Sequence, residues 1–454
     1  MPATRPLLKS QWSASDRLVA RAVAQPLQQF LRTEASSGIV LAACAALALV
    51  WANSPWEASY DQLWSTRVSV GIGGFSVDED LRHWVNDLAM ALFFFVVGLE
   101  IKRELVHGQL RSLRAASLPI ACALGGMLVP AAIYLAFNTG DPATGKGWGV
   151  PMATDIAFTI GVLALLGRRV PASLKVFLLT VAIVDDIGAI VVIAAVYSTG
   201  IGITWLALAA AAVGGVVACQ RMGVRWLAPY VVLASVLWLA LHESGVHATI
   251  AGVILGLLTP ARPLHHAADV HHAVHHSRAD GLDDDDQDES DEAAFLDIAR
   301  AATEGVSPLA RLETRLHPWA SFAVLPLFAL ANAGVALTTG ALDPTSGLTL
   351  GIGLGLVVGK PVGVLAAALV ATKLFGAMLP THAGWPELAG AGALAGIGFT
   401  VSLFITGLAF DPATIDQAKV VVLTASCIAG CLGAALLLAR PTSDPLTPRA
   451  DRTE

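Results

Sequence analysis

The sequence predicts an all-α polytopic membrane protein with twelve transmembrane helices and a small external β-hairpin, and three observations carry that prediction. Hydrophobic residues make up 55% of the 454 and charged ones 14%, with a positive mean hydropathy, a balance too apolar for a water-soluble domain. Apolar runs long enough for about 30 Å of hydrocarbon recur along the whole chain. Basic residues crowd alternate connections, as they do where such connections stay on the cytoplasmic side.

Twelve runs can be marked, at roughly 37–54, 84–106, 118–137, 148–166, 176–197, 203–219, 227–241, 246–259, 319–337, 348–371, 387–410 and 418–439. The seventh and eighth are short, and only His242-Glu243-Ser244-Gly245 separates them. The N-terminal segment holds Arg5, Lys9, Arg17, Arg21 and Arg32. The even connections hold Lys102, Arg103, Arg111 and Arg114, then Arg168, Arg169 and Lys175, then Arg221 and Arg225, and so on to Arg440. The odd connections hold only Arg67, Arg82, Lys146 and Lys419. Both termini are therefore expected in the cytoplasm.

Residues 1–33 form a polar, basic cytoplasmic tail with no apolar core of a cleaved signal, 34–440 the transmembrane domain, and 441–454 a second cytoplasmic tail. Within the domain, 66–77 (TRVSVGIGGFSV) alternates β-forming residues around Gly73-Gly74 and predicts an external hairpin. Such a hairpin is marginal alone, so a homodimer that pairs two copies of it is expected. Residues 262–304 contain HHAADVHHAVHHSRADGLDDDDQDESDE. Its histidines lack metal-ligand spacing, and the stretch is a flexible, solvated cytoplasmic loop. Most of the chain's acidic excess lies there, so the net charge of -7 says little about partners. Cys44, Cys122, Cys219, Cys427 and Cys431 fall inside apolar runs and act as small hydrophobes. No cofactor and no nucleic-acid partner are expected.

The chemistry concentrates at mid-membrane. Asp185 and Asp186, in LLTVAIVDDIGAIVVIAAV, are the only charges between Lys175 and Arg221, and each costs about 3 kcal/mol at that depth. One reading is a satisfied structural pair; the sharper one is a cation or proton site. Asp155 lies in the fourth run beside Thr154, with Pro151 upstream, and Lys360 lies in the tenth immediately before Pro361. The eleventh run carries Gly396-Ile397-Gly398-Phe399-Thr400 at its midpoint, with no ionisable side chain near it.

The fourth and eleventh runs are each Gly- or Pro-interrupted, each central to a group of three (3–5 and 10–12), and oppositely directed. That pattern predicts an inverted repeat whose broken helices cross at the midplane. Crossing them brings like partial charges together. An acid offsets the positive ends and a cation the negative ends, jobs that suit Asp155 and Lys360 and are compatible with direct roles in transport. Adjacent helical residues point about 100° apart, so one aspartate can face a cavity while the other pairs sideways, for example with Lys360. A carboxylate there holds a proton or a hard monovalent cation, not both. A site of that kind, exposed alternately to each side, makes an exchanger.

ATDIAFTIGVLALLGRRVP, AIVDDIGAI, SGVHATIAGVILG, LHPWASFAVLPLFALANAG, GKPVG and GIGFTVSLFI follow one another with compatible spacing. Together, over about 37–440, they resemble the NhaA family of bacterial sodium/proton antiporters. The resemblance implies extrusion of Na+ or Li+ across the bacterial inner membrane, driven by entry of two protons per ion, for pH and sodium homeostasis. It implies that Asp185 and Asp186 bind the cation and the proton and that Asp155 and Thr154 support them. Lys360 would partner Asp185, with the second proton on either of those two. The family's pH-regulating positions correspond to Glu100, Arg103 and Glu104 in VGLEIKREL, to His247 and to Glu313 in RLETRLHPW. For Arg103 and Glu104 an ordinary helix-end charge is the preferred reading. The family's histidine after the last glutamate is Thr314 here, and the preceding loop is longer and more acidic.

Other functions fit less well. An intramembrane aspartyl protease needs two membrane acids, as Asp155 and Asp185 supply. Its Gly-x-Gly-Asp is absent, Ala182-Ile183-Val184 preceding Asp185, and Lys360 adds a third charge. A sodium-coupled carrier of an organic anion calls for more cations than one lysine against three acids. A channel does not call for broken, crossed helices.

Overall fold

Backbone amides in hydrocarbon have no water to bond with, so each apolar segment must satisfy its own, and a helix does this. The computed structural model describes residues 34–72, 75–198, 200–263, 296, 299–300, 302–337 and 342–439. Among these, nine helices are long and apolar enough to cross a membrane: Ala35–Ala52, Leu81–Val106, Arg114–Asn138, Gly145–Leu166, Ala172–Val196, Ile203–Arg221, Leu227–Ser244, Gly347–Phe375 and Pro412–Leu438. Trp385–Ala395 and Phe399–Ala409, bent by 44° at a short break, make a tenth crossing if taken as one. The chain is a multi-pass membrane protein.

The other two expected runs are helical but fall short. Gly245 ends the seventh in the left-handed region, φ 79°, and the chain re-enters a helix only at Ile250–Leu258, stopped by the Thr259-Pro260 step. Those nine residues span about 14 Å, half a crossing. The ninth lies in Pro308–Asn332, with a π turn at Ala320–Val324. Its first segment carries Arg311, Glu313, Arg315 and His317, so it is not apolar throughout.

The hairpin forms as β1 (Arg67–Ile72) and β2 (Phe75–Asp80), antiparallel, with Arg67 opposite Asp80 and Ile72 opposite Phe75. It runs three residues past the expected end because Asp80 also caps the next helix, accepting from His83 N at 2.8 Å. The expected tails (1–33, 441–454), the Gly73-Gly74 turn and nearly all of the histidine- and aspartate-rich loop lie outside the described residues.

Two departures from regular helix position the site. The fourth span is a 3-10 stretch, Gly145–Met152, then non-helical backbone at 153–155, then helix Ile156–Leu166. The tenth contains a π turn, Gly355–Gly359, directly before Lys360. Pro361 has no N–H to continue the i→i−4 ladder there.

The third and tenth spans approach at two glycines. A Cβ on Gly125 would sit 2.3 Å from Gly363 O, and one on Gly363 2.1 Å from Gly125 O. This contact seats Lys360, one turn before Gly363, against Gly126. Gly363→Val should therefore cost about 1–3 kcal/mol by overpacking and lower the melting temperature of the purified protein. Gly214→Ala, where a Cβ meets nothing within 4 Å, should not. Equal melting of the two variants would contradict this packing.

Candidate functional site

Asp185 and Asp186 sit midway along Ala172–Val196, both buried. Lys360, fully buried, donates from Nζ to Asp185 Oδ2 at 2.6 Å and to Thr154 Oγ1 at 2.9 Å. Thr154 Oγ1 also lies 2.7 Å from Asp185 Oδ2 and 2.8 Å from Ala395 O. A hydroxyl has one proton, so it donates to one of these at a time while accepting from the lysine. Four segments are tied together here: the break in the fourth span, the fifth span, the tenth, and the end of the half-helix Trp385–Ala395.

Asp155 makes the second knot. Its N–H donates to Ile397 O at 2.6 Å, so the two interruptions meet directly. Its Oδ1 accepts from Phe158 N at 2.9 Å, and its Oδ2 from Thr400 N at 3.0 Å and Thr400 Oγ1 at 2.6 Å. One carboxylate thus caps the N-termini of both Ile156–Leu166 and Phe399–Ala409, where the helix dipoles favour negative charge. Among the described residues Lys360 makes no hydrogen bond to a helix-end carbonyl, and Thr154 stands between it and Ala395 O.

Two oxygens are left over. Asp185 Oδ1 and Asp186 Oδ2 are buried and have no hydrogen-bond partner among the described residues. A buried acceptor without a donor costs about 1–3 kcal/mol, more when charged. A proton or a hard cation removes that cost, and carboxylate oxygens are the ligands such a cation takes. Asp186 is also within electrostatic reach of Asp185, Asp155 and Glu100. With three acids and one lysine, the cluster carries a negative excess suited to a cation.

Glu100 lies between this cluster and a second one. Its Oε1 is 3.9 Å from His317 Nε2, while Arg103 pairs with Glu313. Arg103, Glu313, Thr314 and His317 line a cavity of about 430 Å3. Glu104 is set apart, accepting from Thr180 Oγ1 and Gln109 N, each at 3.4 Å. His247 joins none of these. Its ring packs edge-on against Phe404 at 5.2 Å, and Nδ1 lies 3.3 Å from Thr249 Oγ1.

Thr400 and His317 were not singled out from sequence. Thr400 is a neutral hydroxyl beside a glycine break, without the charge that sets a residue apart in an apolar run. His317 stands one helical turn after Glu313, the spacing that places two side chains on one face.

The family model described as Na+/H+ antiporter 1 matches residues 28–437. A Na(+)/H(+) antiporter NhaA 2 of Sorangium cellulosum is 46% identical, covering 98% of this chain and 96% of its own. A Na(+)/H(+) antiporter NhaA of Rhodopirellula baltica is 47% identical over 91% of this chain and 94% of its own. One of Anaeromyxobacter sp. is 48% identical over 94% of each. Matched over nearly its whole length, the chain belongs to the Na+/H+ antiporter 1 family, the NhaA antiporters, and is a sodium/proton antiporter and not an enzyme.

Proposed function

We propose that Asp185 and Asp186 carry the exchanged ions, one Na+ or Li+ against two protons, and that the antiporter serves pH and sodium homeostasis. The observation that carries this reading is the pair of buried, unpartnered oxygens, Asp185 Oδ1 and Asp186 Oδ2, on adjacent residues. With both carboxylates ionised, the cation binds between them. Protons arriving from the other side displace it, one onto Asp186 and the second onto Asp185, or onto Lys360 where the lysine has released its own proton on cation binding. Two positive charges entering for one leaving moves one net charge inward per cycle, so exchange responds to membrane voltage.

Asp155 and Thr154 support the site. Asp155 holds the two half-helix N-termini together, and Thr154 relays between Lys360 and Ala395 O. The twelve-helix arrangement, the inverted repeat of spans 3–5 and 10–12, and the crossing of the broken fourth and eleventh belong to the same reading. The meeting of the interruptions at Asp155 N and Ile397 O supports the crossing. Glu100 and Glu313 regulate the response to pH from the neighbouring cavity, and His247 from its place against Phe404. The basic connections orient both termini to the cytoplasm of an inner membrane, and the hairpin joins two copies into a homodimer.

Asp186→Asn should abolish sodium-driven proton movement in proteoliposomes while the purified protein melts as before. A normal exchange rate in that variant means that the site lies elsewhere. Lys360→Ala leaves Asp185 buried and uncompensated, at a cost of about 3–5 kcal/mol, and should lower the melting temperature. An unchanged profile would rule out a structural role for the pair. Removing residues 267–291 should leave insertion and exchange intact; loss of either overturns the linker reading of that loop.

A further inference from the structure

Two of the few basic residues in the odd connections, Arg82 and Lys419, take no part in the site above. Arg82 stands in the first turn after β2, at the start of the Leu81–Val106 span, and Lys419 near the start of Pro412–Leu438. Arg67, on the hairpin, is paired with Asp78 at 3.2 Å; Arg82 and Lys419 form no salt bridge among the described residues, although Asp80 lies within electrostatic reach of Arg82. Lys419 is 6% exposed, yet makes no hydrogen bond or salt bridge there. The charges within its electrostatic reach are Arg82 and Asp416, and the Asp416 side chain is exposed one turn away.

Around Arg82 there are further unused donors. Its Nε is buried without a partner among the described residues, and its guanidinium carbon lies 6.0 Å from the centre of the Tyr60 ring. Trp64, with its ring 6.3 Å from that of Tyr60, has a buried indole N–H that is also without a partner. The Tyr60 hydroxyl donates to Leu330 O at 2.9 Å or Ala331 O at 3.1 Å and keeps lone pairs that accept from the Arg82 guanidinium, yet Arg82 Nε and the Trp64 indole N–H make no hydrogen bond among the described residues.

Two cations within reach of one another repel, and removal from water makes the repulsion stronger. A buried donor without an acceptor adds about 1–3 kcal/mol for each one. One anion with several acceptor oxygens answers both problems. The guanidinium fork suits a phosphate in particular, with the ammonium as a point charge beside it. Arg82 and Lys419 each lie within about two helical turns of the end of their span, the depth at which phospholipid headgroups and interfacial tryptophans lie. We propose that Arg82, Lys419 and Trp64 form a binding site for a phosphate group, supplied by a phospholipid headgroup or by free phosphate.

The test uses the full chain, purified in detergent and stripped of lipid. Phosphatidylglycerol dispersed in detergent and, separately, inorganic phosphate are titrated while the melting temperature is followed. Native mass spectrometry counts retained lipid. At least one probe should raise the melting temperature of the unaltered protein. In an Arg82→Gln, Lys419→Met double variant, the half-maximal concentration should rise about tenfold or more, equivalent to about 1.4 kcal/mol. A response to phosphatidylglycerol alone assigns the group to lipid, and a response to inorganic phosphate assigns it to the free anion. If neither probe shifts the unaltered protein, or both shift the variant equally, the proposal fails. Should the double variant not fold, Trp64→Phe removes a single N–H and carries the same comparison. Without either probe, Lys419→Met should melt no lower than the unaltered protein, since it removes a charge that forms no salt bridge among the described residues and lies within reach of Arg82. A fall of several degrees would mean that the protein already satisfies Lys419, and would also overturn the site.

Discussion

The contact between Lys360 and Asp185 is the constraint around which the rest of the molecule is arranged. Taking an ammonium and a carboxylate out of water costs several kcal/mol each, and their attraction offsets this only when the geometry is good and the remaining bonds are made. At 2.6 Å, with Thr154 Oγ1 shared between them, the geometry is good. Two of the supporting features are departures from regular helix, and the third is a close contact of two helices. The 153–155 break frees Thr154, the π turn at Gly355–Gly359 rotates Lys360, and Gly125 and Gly363 bring the two backbones together.

Asp155 meets a different difficulty with the same economy of groups. Two helix N-termini that meet inside a membrane present unsatisfied N–H groups and positive partial charge. Because Asp155 precedes one half-helix and touches the start of the other, its two oxygens divide the work: Phe158 N on one, Thr400 N and Oγ1 on the other. Both Asp155 oxygens are therefore hydrogen-bonded, whereas Asp185 and Asp186 each retain an oxygen with no partner among the described residues. Three buried acids of identical chemistry are distinguished only by the donors around them, and on the proposed mechanism that distinction decides which of them exchange ions.

Much of this was legible in the sequence, and the limits are physical. A charged side chain inside a long apolar run is too costly to be incidental, so the sequence marks Asp155, Asp185, Asp186 and Lys360. GVP in the fourth span and GIG in the eleventh marked where the helices break, and alternation around Gly73-Gly74 marked the hairpin. Span length was harder to read. Hydropathy registers apolar residues whether or not they belong to one helix, so 246–259 read as one continuous run whereas the helix within it is Ile250–Leu258. Partner choice was out of reach where it depends on neutral groups. Nothing in a run of apolar residues marks Thr400 as the group that bonds Asp155, nor Ala395 O as the acceptor beside Thr154.

The order Asp185-Asp186 has a geometric consequence. The fifth helix turns about 100° between them, so Asp185 is directed to Lys360 and Thr154 while Asp186 comes within electrostatic reach of Glu100. Glu100 in turn lies beside His317, next to the Arg103–Glu313 pair. The charge on Glu100 therefore bears on Asp186, and that on Asp186 bears on Asp185, across one residue of helix. On the proposed mechanism, a change of protonation at the Glu313 cavity reaches the ion site through two like-charge contacts, with no movement of the backbone required. Like charges in a water-poor interior make the loss of one proton harder after the loss of another. On that mechanism, the same chain of acids that attracts a cation also sets how readily the site gives up its protons.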